Sequence, residues 1–299
     1  MKRFLLASCT SVALALGSFS PALAEDAVVE STSEGPALWK VADEDTTIYL
    51  FGTVHVLPKD VKWFGGDIAE ALESADTLVT EIPADAMKDP ALQASVMQKA
   101  MLPEGHTLRG MLSDEDRAVY EEALGKLGMP PGAFDRFEPW FAGMTLSVLP
   151  LMKEGYDAES GVEKVVEAAA SETAQRGALE TADEQIDLFD TLPPESQVEF
   201  LMSAARDIDG LVAMMDEMVA EWLEGDADEL AAIMNREMTD PALAAALLYN
   251  RNERWAEWID ERLEQPGAVF IAVGAGHLAG EKSVQDYLVS RDIEVTRVQ

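Results

Sequence analysis

The most informative segment of the sequence is Ala268-Val-Phe-Ile-Ala-Val-Gly-Ala-Gly-His277, an apolar run that ends with two glycines and a histidine. A run of this length, bounded by glycine, predicts a β-strand that is buried on both faces. Glycine lets the backbone turn sharply where the strand ends. We therefore expect His277 just past the carboxyl end of a central parallel strand, the edge at which open α/β sheets bind their ligands.

A near copy, Thr47-Ile-Tyr-Leu-Phe-Gly52-Thr-Val-His55, lies towards the other end of the chain. Both stretches have the form apolar strand, then Gly-x-x-His. The chain has three histidines, and two of them hold this position. One such motif is a weak signal because glycine often follows a strand, but two copies point to a shared crevice. They could still build a binding crevice without taking part in chemistry.

Two glutamates lie at the ends of other predicted strands. Glu81 belongs to Leu78-Val-Thr-Glu-Ile82, a segment that is otherwise apolar and β-branched. A carboxylate there is costly unless it is paired, hydrogen-bonded or bound to a metal. Glu180 follows a weaker strand candidate that begins at Gly177, and it could simply end that strand and cap the next helix.

The two histidines and the two glutamates form a candidate constellation. If their strands are parallel neighbours, His55, Glu81, Glu180 and His277 all face one crevice. Two imidazoles with one or two carboxylates are a usual ligand set for a divalent transition metal. Such a metal could lower the pKa of a bound water molecule and polarise a carbonyl group for hydrolysis.

Strand patterns lie at both ends of the chain, with a long helical block between them. Residues 37–41 and 46–51 are predicted to form an antiparallel hairpin, and residues 48–82 a β-α-β unit with parallel pairing. We predict an α/β fold with a mixed, largely parallel sheet formed by the N- and C-terminal strands. Residues 37–299 would form one domain, with a large helical lobe inserted at about 84–265.

The charge of the chain excludes several kinds of partner. It has 56 acidic residues against 22 Lys and Arg, a formal net charge of −34. This argues against binding to nucleic acid or to an anionic membrane surface. The acids are spread along the chain, which favours a solvated acidic surface over a specific cationic partner. No segment after the N-terminal one is long and apolar enough to span a bilayer.

The N-terminus has the pattern of an export signal. A positive start precedes an apolar run and the small-x-small sequence Ala22-Leu-Ala24. We predict a signal peptide over residues 1–24, cleaved before Glu25, and a flexible leader over 25–36. The protein is therefore expected to be periplasmic or secreted.

Cys9 is the only cysteine of the chain. It lies inside the predicted signal peptide, so the mature protein would have no disulfide and no cysteine ligand or nucleophile. The sequence Leu6-Ala-Ser-Cys9 looks like a lipobox and offers a lipoprotein as an alternative. We favour simple cleavage because Cys9 comes early and the apolar run continues beyond it.

These residues resemble the TraB/GumN family, which is similar to the Tiki metalloproteases and more remotely to erythromycin esterase. The resemblance covers nearly the whole mature chain and is nearest to the GumN-like bacterial branch. It rests on Phe51-Gly-Thr-Val-His55-Val-Leu-Pro58, Leu78-Val-Thr-Glu81, Glu138-Pro-Trp140, Gly155-Tyr-Asp157 with Gly161-Val-Glu163, Leu179-Glu180-Thr181 with Gln185, Tyr249-Asn-Arg251-Asn252 and Val273-Gly-Ala-Gly-His277-Leu-Ala-Gly280.

The resemblance implies a Tiki/erythromycin-esterase-like α/β core and a metal-dependent hydrolase site at His55, His277 and Glu81. For Tiki relatives the implied activity is peptide cleavage with manganese or cobalt. Many relatives are expected to carry aspartate where this chain has Glu163. The carboxylate is kept, but its side chain is longer.

The first hypothesis is an exported metal-dependent hydrolase, for preference a peptidase, that acts on a peptide or small-molecule substrate. His55, His277, Glu81 and Glu180 are the candidate ligands of a divalent metal, with manganese or cobalt preferred and zinc as a further candidate. His55, His277 and Glu81 would also carry the chemistry, Glu81 as ligand or general base, and Arg251 would stabilise a developing oxyanion. The residues expected to shape the site are Gly52, Gly274, Gly276, Glu163, Tyr249 and Asn252.

Two other functions stay open. One is a metal-free, esterase-like hydrolase with a histidine as the general base. The other is a non-catalytic protein that binds a peptide or a signal molecule. The sequence lacks a Gly-x-Ser-x-Gly elbow, a P-loop and a His-Glu-x-x-His motif, which disfavours the enzymes that depend on them. It leaves the oligomeric state open.

Overall fold

The computed structural model describes residues 35–237 and 240–299. The predicted signal peptide and nearly all of the predicted leader lie outside these ranges. The strands are β1 (Leu38–Ala42), β2 (Thr46–Thr53), β3 (Leu57–Pro58), β4 (Thr77–Thr80), β5 (Tyr156–Asp157), β6 (Gln175–Ala178), β7 (Gly267–Gly274) and β8 (Thr296–Arg297).

Helices cover the sheet and fill most of the chain between β4 and β7. They are α1 (Gly66–Ser74), α2 (Pro90–Lys99), α3 (Leu108–Met111), α4 (Asp114–Lys126), α5 (Pro139–Lys153), α6 (Val162–Ala169), α7 (Ala182–Asp190), α8 (Pro194–Arg206), α9 (Leu211–Glu224), α10 (Ala227–Glu237), α11 (Pro241–Ala244), α12 (Asn250–Leu263) and α13 (Val284–Val289). Three 3₁₀ turns, Ala86–Lys88, Ala158–Ser160 and Ala275–Leu278, and a π-helical segment, Ala245–Tyr249, complete the set.

β7 lies inside a six-stranded sheet with the order β6-β4-β7-β2-β1-β8. It pairs in parallel with β2 on one side and with β4 on the other. β6 continues the parallel part beyond β4, whereas β1 and β8 add antiparallel strands at the opposite edge. The α/β class and the mostly parallel mixed sheet are therefore confirmed.

Helices cover both faces of the sheet, which is why β7 consists of apolar residues and glycine. Phe51 and Phe270 point to one face, where they pack with α1, α6 and α9. Leu50 and Ile271 point to the other face, against α12 and α13. Each strand sends alternate side chains to opposite faces, so a strand with helices on both sides needs apolar residues at every position.

Two strand predictions were wrong in detail. β2 and β4 run in parallel, but they are not neighbours, because β7 lies between them. A strand buried on both faces is best placed where both of its edges are paired as well. β6 begins at Gln175, two residues before the predicted start, and its first two residues are exposed. Polar, exposed edge residues give no apolar pattern from which to predict a strand.

Three contacts hold helices over the carboxyl ends of the strands. The indole Nε1 of Trp222, on α9, donates a hydrogen bond of 2.8 Å to the carbonyl oxygen of Gly52. The amide of Val162, at the start of α6, donates to the carbonyl oxygen of Val54 over 3.0 Å. Next to it, a Cβ atom on Gly161 would lie 2.2 Å from the His55 carbonyl oxygen. Only glycine allows this approach, which brings α6 onto the first Gly-x-x-His motif.

No helix in the described part of the chain has the length and apolar character needed to cross a membrane.

Candidate active site

The register of the parallel strands brings the predicted site residues together. Thr53, at the end of β2, lies opposite Gly274, at the end of β7, and β4 ends one residue before Glu81. His55 follows β2 by two residues, and His277 lies in the 3₁₀ turn after β7. Parallel strands share a carboxyl edge, so these side chains come from one end of the sheet.

Gly274 leaves a small space that is bordered by three of the predicted site residues, His55, Glu81 and His277. A Cβ atom on Gly274 would lie 3.1 Å from Glu81 Oε1, 3.6 Å from His277 Cδ2 and 3.7 Å from His55 Nε2. His277 Nε2 is 3.8 Å from Glu81 Oε1. We call this space the Gly274 cradle. Any side chain at position 274 would fill it.

His55 is hydrogen-bonded to a carboxylate. Its Nδ1 lies 2.5 Å from Glu163 Oε1, and the hydroxyl of Thr53 donates to the same oxygen over 2.5 Å. The His55 side chain keeps 21% of its surface exposed. Burial alone would lower the pKa of His55, but the charge and the hydrogen bond of Glu163 outweigh it and raise that pKa to about 9. His55 is therefore an imidazolium at neutral pH, with its Nε2 at the cradle.

His277 is buried and is hydrogen-bonded to a side-chain amide. Its Nδ1 lies 2.5 Å from Asn252 Oδ1, and Asn252 in turn donates from Nδ2 to the carbonyl oxygen of Lys282 over 2.7 Å. An amide oxygen only accepts, so Nδ1 carries the proton and Nε2 keeps its lone pair. Burial and the nearby charge of Arg251 hold the pKa of His277 well below its ordinary value. His277 is neutral.

Arg251 connects the carboxylates to His277. Its Nη1 donates to His277 Nε2 over 2.9 Å and to the carbonyl oxygen of Leu247 over 3.0 Å. Its Nη2 donates to Glu81 Oε2 over 2.6 Å and to Glu180 Oε2 over 2.8 Å, and its Nε contacts both oxygens of Glu180 at 3.0 Å. Leu247 belongs to the π-helical segment that precedes α12, a kind of irregularity that is frequent at functional sites.

Glu81 is a largely buried, ionised carboxylate whose side chain keeps 11% of its surface exposed. Burial raises the pKa of Glu81, but the positive charges of Arg251 and His55 and the hydrogen bond from the Gly274 amide bring it well below its usual range. Its Oε1 accepts from the Gly274 amide over 2.7 Å, and its Oε2 also accepts from Gln185 Nε2 over 2.6 Å. Oε1 faces the cradle, while Oε2 is taken up by Gln185 and Arg251.

The structure separates Glu180 from the two histidines. Both of its oxygens accept from Arg251, and Oε1 also accepts from Arg254 over 3.0 Å. Glu180 therefore balances the charge of arginines behind Glu81. The ring of Tyr249 contacts the Lys282 ammonium group at 4.5 Å from the ring centroid, and Tyr249 packs against the same hydrophobic cluster as Ala275.

Three contributors to the site were not among the predicted site residues. Gln185 holds Glu81, Thr53 holds Glu163, and Gly161 lets α6 approach His55. All three lie within motifs that carry the family resemblance, which was the available signal. Thr53 lies inside the first Gly-x-x-His motif, where nothing in the residue type marks it.

Residues 35–237 and 240–299 contain no group of three or more His, Cys, Asp and Glu side chains arranged to hold a metal ion. At the cradle, Arg251 holds His277 Nε2, one of the donor atoms that such a group would need.

Comparison with known proteins identifies relatives over most of the chain. The model of the TraB/PrgY/gumN family matches residues 37–297. A protein of Escherichia coli (strain K12) named "Uncharacterized protein YbaP" is 25% identical over 246 residues, which cover 80% of this chain and 87% of that protein. An "Uncharacterized protein" of Treponema pallidum (strain Nichols) is 22% identical over 275 residues, 85% of this chain and 80% of the relative. No solved structure matches.

Proposed function

This chain belongs to the TraB/PrgY/gumN family, and on that premise we propose that it is an exported metal-dependent hydrolase with a peptide as the favoured substrate. The observation that carries the proposal is the convergence of His55, His277 and Glu81 on the Gly274 cradle. We extend the proposal to the fold, as a core of the Tiki and erythromycin-esterase kind.

The donor atoms at the cradle suit a divalent transition metal. Each histidine has its Nδ1 held by a side-chain oxygen, from Glu163 or from Asn252. Metal-binding histidines usually have such a second contact, which orients the ring and leaves the other nitrogen for the metal. His55 Nε2, His277 Nε2 and Glu81 Oε1 would hold the ion, and two imidazoles with a carboxylate suit manganese, cobalt or zinc.

A bound metal would polarise a substrate carbonyl group and lower the pKa of a water molecule. The residues of the chain would supply position and charge. Glu81 is kept ionised by Arg251 and is aimed at the cradle by the Gly274 amide, so it would serve as a ligand or as the general base. Arg251 brings a buried positive charge to the same space, where it would stabilise a developing oxyanion.

A metal-free hydrolase is the second candidate, because the charges of the two histidines already differ. His55 is protonated at neutral pH and could donate a proton from Nε2. In place of the histidine base predicted from the sequence, the ionised Glu81 could accept a proton from water. General acid and base catalysis needs such a pair of groups with separated pKa values. In this version Arg251 stays on His277.

The first experiment measures metal content. The chain would be produced with its own N-terminal segment, without a histidine tag or chelators, as wild type and as His55→Ala, His277→Ala and His106→Ala. His106 is exposed and serves as the matched control. We expect near-stoichiometric manganese, cobalt or zinc in the wild type and in the His106 variant, and its loss in the other two. N-terminal sequencing of the same preparations, with Glu25 expected, tests export.

Activity is then measured on a peptide library with the metal found. Cleavage that needs the metal and is lost in His277→Ala supports the metallopeptidase. Equal metal in all four proteins, or none after manganese, cobalt and zinc are added, contradicts the metal site. Metal-independent cleavage that His55→Ala abolishes would favour the second candidate, and peptide binding without cleavage would favour a binding protein.

A further inference from the structure

The guanidinium of Arg251 occupies the position that a metal would need. Its Nη1 donates to His277 Nε2 over 2.9 Å, and both side chains are almost fully buried. One lone pair on Nε2 cannot accept from Arg251 and bind a metal at the same time. We propose that Arg251 gates the metal site, holding the lone pair of His277 Nε2 until a divalent cation takes it. The proposal rests on the proposed function and adds a residue that controls metal loading.

The gate depends on a single hydrogen bond. If Nη1 leaves His277, it still donates to the carbonyl oxygen of Leu247. The contacts of Nε and Nη2 with Glu180, and that of Nη2 with Glu81, involve other atoms and need not change. Metal binding would therefore remove only one of the hydrogen bonds of Arg251, the one to His277 Nε2. The carbonyl oxygen that keeps Nη1 paired comes from the π-helical segment.

The two carboxylates around Arg251 explain how the site stays balanced without a metal. The side chains of Glu81 and Glu180 are 11% and 4% exposed, and removing their positive partner would leave uncompensated charge in the interior,. Arg251 supplies that partner, and Arg254 adds a second contact on Glu180 from the solvent side. The constellation is therefore stable with Arg251 on His277, and an incoming cation must compete with that state.

Arg251 also opposes the metal by charge. A guanidinium in contact with a ligand atom repels a divalent cation at short range, where burial leaves the repulsion poorly screened. Its favourable effect, holding Glu81 in place, is shared with Gln185 and the Gly274 amide. Because those two contacts would remain without Arg251, the gate requires the repulsion to be the larger of the two effects, which the titration below measures. Removal of the arginine should tighten metal binding even though it destabilises the protein without metal.

The test is a titration of the chain with Mn²⁺, Co²⁺ and Zn²⁺ alone, against a competing chelator dye. Arg251→Gln removes the gate. Arg254→Gln is the control, since it removes a positive charge from Glu180 without touching His277. We expect Arg251→Gln to bind at least one of the ions about tenfold more tightly than the wild type, and Arg254→Gln to stay within about threefold. Unfolding without metal and with metal should show a larger metal-induced stabilisation in Arg251→Gln.

The outcomes separate the gate from the metal site itself. Metal binding to the wild type with equal or weaker binding to Arg251→Gln overturns the gate and leaves the proposed site standing. No binding to either protein overturns both. Tight binding to Arg251→Gln alone supports the gate.

A second measurement covers the case in which Arg251→Gln does not fold. In the ¹⁵N-labelled wild type, the hydrogen bond between Arg251 Nη1 and His277 Nε2 should give a scalar coupling between the two nitrogens. The gate predicts that one equivalent of Zn²⁺ removes this coupling and shifts the Nε2 resonance. If Zn²⁺ shifts the resonance of His55 while the coupling between Arg251 and His277 remains, the metal binds without moving Arg251. That result overturns the gate.

Discussion

The two Gly-x-x-His motifs place their histidines at the same edge of the sheet, yet the two rings have opposite electrostatic surroundings. His55 is partly exposed, and its Nδ1 lies on the carboxylate of Glu163, which raises its pKa to about 9. His277 is buried, and its Nδ1 lies on the amide of Asn252, with its pKa well below the ordinary value. The motif determines where each ring lies, and the partner of Nδ1 determines its charge.

The two motifs therefore repeat a position in the fold but not a chemical environment. A protonated imidazole and a neutral one beside a carboxylate form an asymmetric pair, in which only His277 Nε2 offers a lone pair at neutral pH. Loading a metal would then require His55 to lose a proton and His277 to lose Arg251. Both events depend on residues outside the motifs, so substitutions at those residues test the comparison.

The largest effect is expected for Gly161→Ala, which separates Glu163 from His55. The new Cβ would lie 2.2 Å from the His55 carbonyl oxygen and 3.0 Å from that of Ala158. Backbone atoms cannot rotate away, so α6 must move off the end of β2. We expect a loss of about 3 kcal/mol in the free energy of unfolding, measured in urea.

Gly125→Ala is the control for this substitution. Gly125 lies within α4, where a Cβ would meet nothing within 4 Å, so the change should be neutral or slightly stabilising. The pKa of His277, followed by NMR, should not change in Gly161→Ala. If Gly161→Ala lost the expected stability but left the pKa of His55 unchanged, the position of α6 would not set the charge of His55.

Glu163→Gln gives both histidines an amide partner and should show a strong dependence on pH. In the wild type, the pKa of His55 is raised from 6.5 to about 9 in the folded state. The resulting stability is fully present below about pH 6.5 and is lost as the pH rises through 9. The pKa of Glu163 is lowered, because the charge of His55 and its hydrogen bonds outweigh burial, so the pair persists down to mildly acidic pH.

We therefore expect Glu163→Gln to cost about 2 kcal/mol at pH 6 and little at pH 9.5. Glu167→Gln, on the same helix and in a more exposed pair with Arg176, should cost less than about 1 kcal/mol at either pH,. Equal losses for Glu163→Gln at the two pH values would mean that the ion pair is not what distinguishes His55.

Asn252→Asp changes the other histidine, because it gives both rings a carboxylate partner. The pKa of His277 should rise, since Nδ1–H would then donate to a negative charge. The contact from Asn252 Nδ2 to the Lys282 carbonyl oxygen is lost, and we expect a cost of about 1 kcal/mol. Histidine NMR titrations of the variant and of Asn250→Asp, an exposed neighbour on the same helix, check the change. An unmoved pKa of His277 would show that the hydrogen-bond partner of Nδ1 does not set the charge of this ring.

Much of the sheet could be predicted, because its strands carry their own signal. β7 and β2 are apolar runs that end in glycine, and α1 (Gly66–Ser74) is the helix of the β-α-β unit predicted over residues 48–82. The insertion of β7 between β2 and β4 could not be predicted, since strand order depends on contacts between distant segments. β6 was placed two residues late because its exposed edge residues carry no apolar pattern.

The candidate site also has a part that the sequence predicts and a part that it does not. His55, Glu81 and His277 follow strands, so a linear pattern finds them. The pairing of Arg251 with Glu180 could not be found from the sequence, because it joins helix α12 to the end of β6 across 71 residues. A predicted ligand and a predicted oxyanion partner thus turn out to pair with each other, and no spacing rule distinguishes those two situations.

The smallest effect is expected for Glu163→Asp, which introduces the residue anticipated in many relatives. Glu163 Oε1 now bonds both Thr53 and His55. Aspartate is one methylene shorter, and α6 cannot move closer because Gly161 already touches the His55 carbonyl group. One of the two contacts should therefore lengthen, at a cost of about 0.5 kcal/mol, with the pKa of His55 between those of the wild type and Glu163→Gln. A ¹⁵N titration of His55 in the three proteins decides the order. If Glu163→Asp left the pKa of His55 at its wild-type value, charge alone would set that ring's protonation, and the longer side chain of this protein would have no electrostatic role.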